Sequence, residues 1–293
     1  KLDDFFQWAH KGEHTIRGDL YFAIDGGVVK VDSLGLQDEL GIIGGREPRW
    51  AIARKFAPDI AETRLLEIRV NVGRTGALNP YAVLDPVEIG GVTVKLATLH
   101  NEDIVRQKDL RVGDIVQVKR AGEVIPQIIA SVPEKSEPRG KRWHMPSRCP
   151  SCGTPVERDE EEVAVYCPNI ACPGRQLEGL VHFSSRGAMD IRGLSYSRID
   201  QLISAGLVSD AADIYSLTRD QLLALEGYAK KGTDSLLAAI EESKSQPLAR
   251  LLTALGIRHV GAIAAQVLAR HFGNLDALAS ATADEITEVR GLG

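Results

Sequence analysis

All four cysteines of this 293-residue chain fall within 24 residues, as Cys149-x2-Cys152-x14-Cys167-x4-Cys172. Two close pairs across a short loop is the spacing that closes a tetrahedral thiolate site. The competing reading is two disulfides, which a reducing compartment disfavours. Taken as zinc held by four thiolates, the site has no open position for water. The metal is therefore expected to be structural, and its loss to unfold the local loop.

With 44% apolar and 26% charged residues, the chain is long enough for two or more domains, each with its own core. It opens on Lys1, and KLDDFFQWAHKGEH lacks the basic flank and apolar run of a secretory leader. A fragment of a cytoplasmic protein is expected. No apolar stretch approaches the roughly 20 residues that cross a bilayer, so no membrane partner is expected. The net charge of −5 is the wrong sign for coating nucleic acid by bulk electrostatics. Residues 63–140 nevertheless hold 11 Lys/Arg against 10 Asp/Glu, whereas residues 1–62 hold 8 against 11. Any nucleic-acid contact must come from a local face.

Residues 20–32 alternate and then run apolar, which reads as a strand. Between 63 and 133, RLLEIRVNV, YAVLDPVEI, VTVKLATL, IVQVKR and VIPQIIASV are separated by turn residues, a count and spacing that suit a Greek-key barrel of the OB type. The Pro-rich, charged stretch 133–147 reads as a boundary. From about Gln176 apolar residues fall at helical spacing, as in SRIDQLISAGLV, DQLLALEGY, DSLLAAIEESK, AAQVLARHF and LDALASAT.

The helical part repeats. Gly193-Leu194-Ser195, Gly227-Tyr228-Ala229, His259-Val260-Gly261 and Gly291-Leu292-Gly293 recur at intervals of 34, 32 and 32 residues. A tight turn before each helix would aim backbone N–H groups and the positive helix end at a phosphate, gripping DNA without reading bases. An ordinary bundle with turn-permitting glycines is the alternative. Ser195 and Ala229 put a Cβ where a phosphate would approach, so Gly261 and Gly293 are the better contact candidates. Arg192, Lys230, Lys231, Arg258 and His259 could add charge-assisted bonds.

IDGGVVKV (24–31), PRWAIARKF (48–56), NVGRTGALNP (71–80), ATLHN (97–101) and KRAGEVIP (119–126), taken in order with the cysteine spacing and the repeats, resemble the NAD-dependent DNA ligases of bacteria over essentially the whole chain. The resemblance implies a multidomain α+β protein. Residues 1–62 would be the end of an adenylation (nucleotidyltransferase) domain, 63–140 an OB-fold domain, 147–175 a four-cysteine zinc finger, and 176–293 a helix-hairpin-helix domain truncated at its end. It implies nick sealing in replication and repair through enzyme-AMP and DNA-adenylate intermediates, with NAD as AMP donor, catalytic magnesium and nicked double-stranded DNA as partner.

The resemblance also assigns residues. Lys30 and Lys55 match two motif lysines near the AMP phosphate, and Asp25 the acid that opens the first motif. Two fixed cations suit a reaction that gathers charge on phosphoryl oxygens. Arg74, Thr75 and Gly76 become expected DNA contacts, as do Lys119 and Arg120 in a loop facing nick or nucleotide. Gly27, Ala23 and Arg54 depart from the usual valine, acid and aromatic. No K-x-D-G string occurs, so the nucleophilic lysine is missing and the chain alone should not self-adenylate. The alternatives are a non-catalytic zinc-containing DNA-binding or nick-sensing module, or a zinc-and-barrel protein acting on RNA.

Overall fold

The computed structural model describes residues 26–43, 47–55, 59–120, 125–136, 138–158 and 163–291. It divides into two compact units, residues 1–69 with 80–145 and residues 70–79 with 146–293.

The first unit opens with β1 (Gly26–Lys30), α1 (Leu34–Leu40), β2 (Ile42–Ile43), β3 (Glu47–Pro48) and β4 (Ala51–Lys55). Ser33 starts α1 by accepting the Leu36 N–H on its hydroxyl, and the Gln37 amide donates to the Val31 carbonyl at 2.6 Å. β1 and β4 form a two-stranded antiparallel ribbon in which Gly26 faces Lys55 and Lys30 faces Ala51. A Cβ on Gly26 would lie 2.4 Å from the Arg54 carbonyl, so only glycine lets the strands close there. The expected strand over 20–32 falls partly outside the described residues.

The barrel follows as β5 (Asp59–Val72), β6 (Leu78–Ile89), β7 (Val92–Thr98), α2 (Glu102–Gln107), β8 (Ile115–Arg120) and β9 (Gln127–Ser131). It closes in the order β5-β6-β7-β9-β8, with β5 antiparallel to β8. All five strand candidates form, in OB-type topology. In β6 the inward period of two is plain: Leu78, Pro80, Ala82 and Leu84 are buried. The register then shifts between Val83 and Val87 around Pro86, which has no N–H to give to a ladder. Leu65, Leu84, Leu99, Leu110, Val116 and Val118 fill the core. Asn101 caps α2 by accepting the Ile104 N–H, which seats Val105 in that core.

The stretch read as a boundary is partly tied down. Trp143 packs on the barrel core. Arg139 grips the fully buried Asp114 with two bonds, Nε to Oδ1 at 2.7 Å and Nη2 to Oδ2 at 2.9 Å, and reaches the Asp109 carbonyl at 2.7 Å. The carboxylates hold the guanidinium firmly charged. At Asp109 burial raises the pKa, but the Arg111 and Arg139 guanidiniums outweigh it and the net shift is downward.

The second unit holds β10 (Glu157–Arg158), β11 (Val165–Tyr166), α3 (Pro173–Ser184), α4 (Tyr196–Ser204), a 3-10 turn (Asp213–Ser216), α5 (Arg219–Leu223), α6 (Lys230–Ser243), α7 (Leu248–Ala254), α8 (Ala262–Phe272), α9 (Leu275–Ser280) and α10 (Ala283–Thr287). α3 runs through Arg175 and Gln176, where the zinc unit was expected to give way to the helices. One core gathers Phe183, Ile191, Ile199, Leu202, Leu222 and Leu236. A second joins Leu252 of α7 to Ala265 and Leu268 of α8. No helix of the described residues is long and apolar enough to cross a membrane.

Candidate functional site

The four cysteine sulfurs lie within 4.8 Å of one another, with Cys149 and Cys172 3.7 Å apart and Cys152 and Cys167 3.5 Å apart. These gaps exceed the ~2.05 Å of a disulfide. They match the roughly 3.8 Å edge of a tetrahedron with metal–sulfur bonds of about 2.3 Å. All four thiols are free, and the donor set fits a soft, four-coordinate ion.

Local turns build the site. Gly153, at φ 73°, donates to the Cys149 carbonyl, and Cys149 donates to Thr154. Asn169 Oδ1 accepts the Ala171 N–H and curls the chain toward Cys172, which is the N-cap of α3 with Pro173 in the first helical position. Burial pushes the Cys149 thiol up and the Cys167 thiol up to about 12, while Thr154 draws Cys152 down to about 6. A cation among the sulfurs would favour their thiolate forms.

The NVGRTGALN hairpin tip belongs to this unit. Gly76 is buried at φ 90°, and a Cβ there would stand 2.6 Å from the Cys167 carbonyl. Its carbonyl accepts the Cys167 N–H at 2.9 Å, its N–H donates to Gly73, and Ala77 bridges Tyr166. Gly76 is therefore a packing element of the metal module. Arg74 is exposed, and a Cβ on Gly256 would lie 3.2 Å from its Nε, while Thr75 is half-buried.

The repeats are visible in the backbone. Gly193, Gly227, His259 and Gly291 take φ values of 97°, 79°, 67° and 102°. α4, α6 and α8 each begin three residues after such a turn. His259 thus adopts the left-handed conformation that glycine fills in the other copies, a departure that the 32-residue spacing could have flagged. The turns differ in what they leave open. Ser195 accepts the Arg198 N–H and consumes a donor at the start of α4. Ala229 and Gly261 make no side-chain cap bond, so α6 and α8 start with donors that their caps do not engage. Ala229 is exposed beside exposed Lys230 and Lys231, and nothing lies within 4 Å of a Cβ built on Gly261. The second turn is thus more open than the expected crowding by Ala229 implied, and the first is closed by a hydroxyl as well as by bulk.

Sequence reasoning missed Arg198. It donates to the Gly227 carbonyl at 2.7 Å and stacks 3.9 Å from the Tyr228 ring centre, tying the first hairpin to the second. Gly293 lies outside the described residues.

On the ribbon, pairing puts Gly26 and Lys55 on one face, and the period of two adds Val28 and Lys30 to it. Lys30 and Lys55 therefore share a face, about 13 Å apart along the strands. Arg54 alternates to the reverse face, so its replacement of an aromatic acts away from the two lysines. Lys30 Nζ sits 5.9 Å from the Trp50 ring centre. Asp25 lies outside the described residues. Lys119 and Arg120 end β8 opposite Ile60 and Asp59. Nearby, Lys108 donates to the Ile128 carbonyl at 2.6 Å, and burial, then the Lys119 charge, lowers its pKa. Lys119 and Arg120 thus belong to a strand and not to the expected loop, and residues 121–124, which follow them, are outside the described residues.

Comparison with known proteins follows the same order along the chain. Residues 2–59 match the NAD-dependent DNA ligase adenylation domain, 62–140 the NAD-dependent DNA ligase OB-fold domain, 148–173 the NAD-dependent DNA ligase C4 zinc finger domain, and 250–293 the helix-hairpin-helix motif. A DNA ligase of Gemmatimonas aurantiaca is 61% identical over 286 residues, covering 98% of this chain and 42% of that protein. A DNA ligase of Roseiflexus sp. is 49% identical over 294 residues, 100% of this chain and 40% of that protein. One of Pelotomaculum thermopropionicum is 50% identical over 293 residues, 100% and 43%. The chain thus spans about two-fifths of the length of these curated relatives.

Proposed function

The chain carries the domain series of the NAD-dependent DNA ligases and belongs to that family, and we propose that its protein seals nicks between a 5′-phosphate and a 3′-hydroxyl in duplex DNA, in replication and repair in the cytoplasm. The observation that carries this reading is the collinear order of the four matched segments. The proposed extents are 1–62 for the adenylation part, 63–140 for the OB domain, 147–175 for the zinc finger and 176–293 for the hairpins.

Lys30 and Lys55, which share one ribbon face, would meet a single anionic ligand with two cations, and their common face supports that reading. Asp25, one residue before the ribbon, completes the proposed set. NAD would supply the adenylyl group, and magnesium would neutralise phosphate charge when bound. Among the described residues only the four cysteines gather as a ligand cluster. Cys149, Cys152, Cys167 and Cys172 would hold zinc, and four sulfur ligands leave it a structural role.

DNA would be met by Arg74 and Thr75 at the hairpin tip, by Lys119 and Arg120 at the barrel end, and by the N–H groups of the turns at Ala229, Gly261 and Gly293. These contacts address phosphates and carry no base readout. The test is binding of the zinc-loaded chain to nicked and intact duplexes across a salt series, beside an assay for transfer of labelled AMP from NAD. The expected result is DNA binding with a salt slope of several phosphates and no AMP labelling, since no K-x-D-G lysine is present. Absence of binding near physiological salt refutes the DNA reading. Labelling would place the nucleophile on this chain.

A further inference from the structure

The four sulfurs of the metal site are not equally sheltered. Cys149, Cys167 and Cys172 are 3%, 1% and 0% exposed, whereas Cys152 is only half-buried. Cys152 stands in the turn between Cys149 and Thr154, and its Sγ lies 3.3 Å from the Thr154 hydroxyl and 3.5 Å from the Cys167 Sγ. A metal-bound thiolate has no proton to give, so in the loaded site the hydroxyl is the donor and Cys152 the acceptor. A thiolate meets an oxidant according to its electron density and its access. Metal binding makes all four sulfurs thiolates, so access decides among them and favours Cys152. Behind it, Cys167 is tied to another element. Its N–H donates to the Gly76 carbonyl at 2.9 Å, and a Cβ on Gly76 would lie 2.6 Å from its carbonyl. The hairpin tip leans on the strand end that the metal fixes.

We propose that Cys152 is an oxidation site through which a small hydroperoxide unloads the metal: Cys152 is oxidised first, Cys167 closes a disulfide with it, and the hairpin tip around Gly76 loses its support. The proposal rests on the reading that zinc fills the four-sulfur site. In the first step the Cys152 sulfur attacks the outer oxygen of the hydroperoxide. An S–O bond forms and the O–O bond breaks. The sulfur gives up two electrons and becomes a sulfenic acid, and the rest of the hydroperoxide takes a proton from solvent and leaves as an alcohol or water. In the second step the Cys167 thiolate attacks the sulfenic sulfur. The S–S bond forms, the S–O bond breaks, and hydroxide leaves to be protonated to water. The two sulfurs close from 3.5 Å to the roughly 2.05 Å of a disulfide. Two thiolates are consumed, and the remaining Cys149 and Cys172 cannot keep a four-sulfur site closed. Arg74 and Thr75 then lose the fixed turn between Gly73 and Ala77 that presents them.

The test exposes the full zinc-loaded chain, as wild type and as Thr154→Val, to substoichiometric and then excess hydrogen peroxide. Sulfenic acid is trapped with dimedone and located by peptide mass spectrometry, and disulfides are mapped after alkylation. Released zinc is read with a chromogenic chelator, and hydrogen exchange is followed at residues 72–78. The adduct should appear on Cys152 before any other cysteine, and the first disulfide should join Cys152 to Cys167. Zinc should leave in step with that disulfide, exchange at 72–78 should speed, and a dithiol reductant with added zinc should reverse both. Thr154→Val keeps the β-branch and removes the hydroxyl. With zinc still bound, its Cys152 adduct should form about two- to fivefold faster, the rate scale of one modest hydrogen bond. An adduct shared equally among the cysteines, a first disulfide that omits Cys152 or Cys167, or exchange at 72–78 unchanged after zinc has left overturns the proposal, as does slower reaction in Thr154→Val. Zinc lost with Cys152 still reduced overturns it while leaving the zinc reading intact. A chain that takes up no zinc removes the reading of the site and the proposal with it.

Discussion

The ribbon at 26–55 and the barrel that follows it are both β-structure, yet they are stabilised in opposite ways. None of the described ribbon residues is buried, and Val28, Ile52, Ile42 and Leu34 are 59%, 72%, 58% and 74% exposed. In the barrel Leu65, Ala82, Val116 and Val118 are fully enclosed, and closure leaves no open edge. Among the described residues the ribbon has two strands, and two strands by themselves are marginal in water, whereas a closed five-stranded barrel owns a core. The lysines matched to nucleotide chemistry therefore stand on the less self-sufficient element, and the proposed DNA-gripping parts stand on elements that fold around their own cores. Local opening of the ribbon should need far less free energy than opening of the barrel.

The largest effect is expected at the barrel core. Leu65→Ala deletes a fully buried side chain from β5, and should lower stability by about 3–4 kcal/mol through lost transfer energy and a residual cavity. Denaturant melts followed by far-UV circular dichroism check this. A loss under about 1 kcal/mol would mean that the barrel, like the ribbon, is loosely held.

Next comes the Asp114–Arg139 clasp. Asp114→Ala leaves Arg139, only 22% exposed, without its bidentate partner, and also frees the Arg111 N–H. The expected cost is about 3 kcal/mol, the scale for removing one member of a largely buried pair. Arg139→Met, which removes the other charge, should do comparable harm because the buried Asp114 is then stranded. If both variants melt as wild type does, the segment after β9 contributes nothing to the barrel and is the loose boundary its composition suggested.

A third measurement turns to where strain is held. In the ribbon region the one described residue at positive φ is a glycine, Gly41 at 67°, whereas the third hairpin turn places a histidine, His259, at φ 67°. A non-glycine residue there costs about 1–2 kcal/mol relative to glycine in the folded state, partly offset by the greater freedom of glycine when unfolded. His259→Gly should therefore raise stability by about 0.5–1 kcal/mol. If it also weakens DNA binding, the imidazole is a contact and the strain is maintained for function. A drop in stability would show that the His259 side chain packs more firmly than its exposure implies.

Much of this was legible in the sequence, and for identifiable reasons. The barrel strands alternate strongly, so their period of two reports both the element and the buried face. The cysteine spacing fixes which sulfurs can meet, because each pair is confined by a short turn. Ribbon register was not legible, since Gly26 pairs with Lys55, 29 positions along the chain, and only that register shows that Lys30 and Lys55 share a face while Arg54 does not. The short helices α7 and α10 carry too few turns to print a period, although Thr282 and Glu285 do form a capping box. The role of Ser195 was half-read. Its bulk shows in the sequence, but its hydroxyl, which caps α4, is the stronger reason that this turn is closed to an anion.

The smallest effect is expected on the ribbon itself, where the contrast with the barrel is easiest to break. Ile52 lies on β4 opposite Val29, on the face away from Lys30 and Lys55, and is 72% exposed. Ile52→Thr keeps the β-branch and removes apolar surface, so stability of the chain should change by less than about 0.5 kcal/mol. The same variant should be somewhat more soluble, because its strand partner Val29 is exposed as well and the two form an apolar patch on that face. A loss of 2 kcal/mol or more would mean that Ile52 is enclosed in solution. The ribbon would then have a partner surface, and its lysines would be held as rigidly as the barrel core.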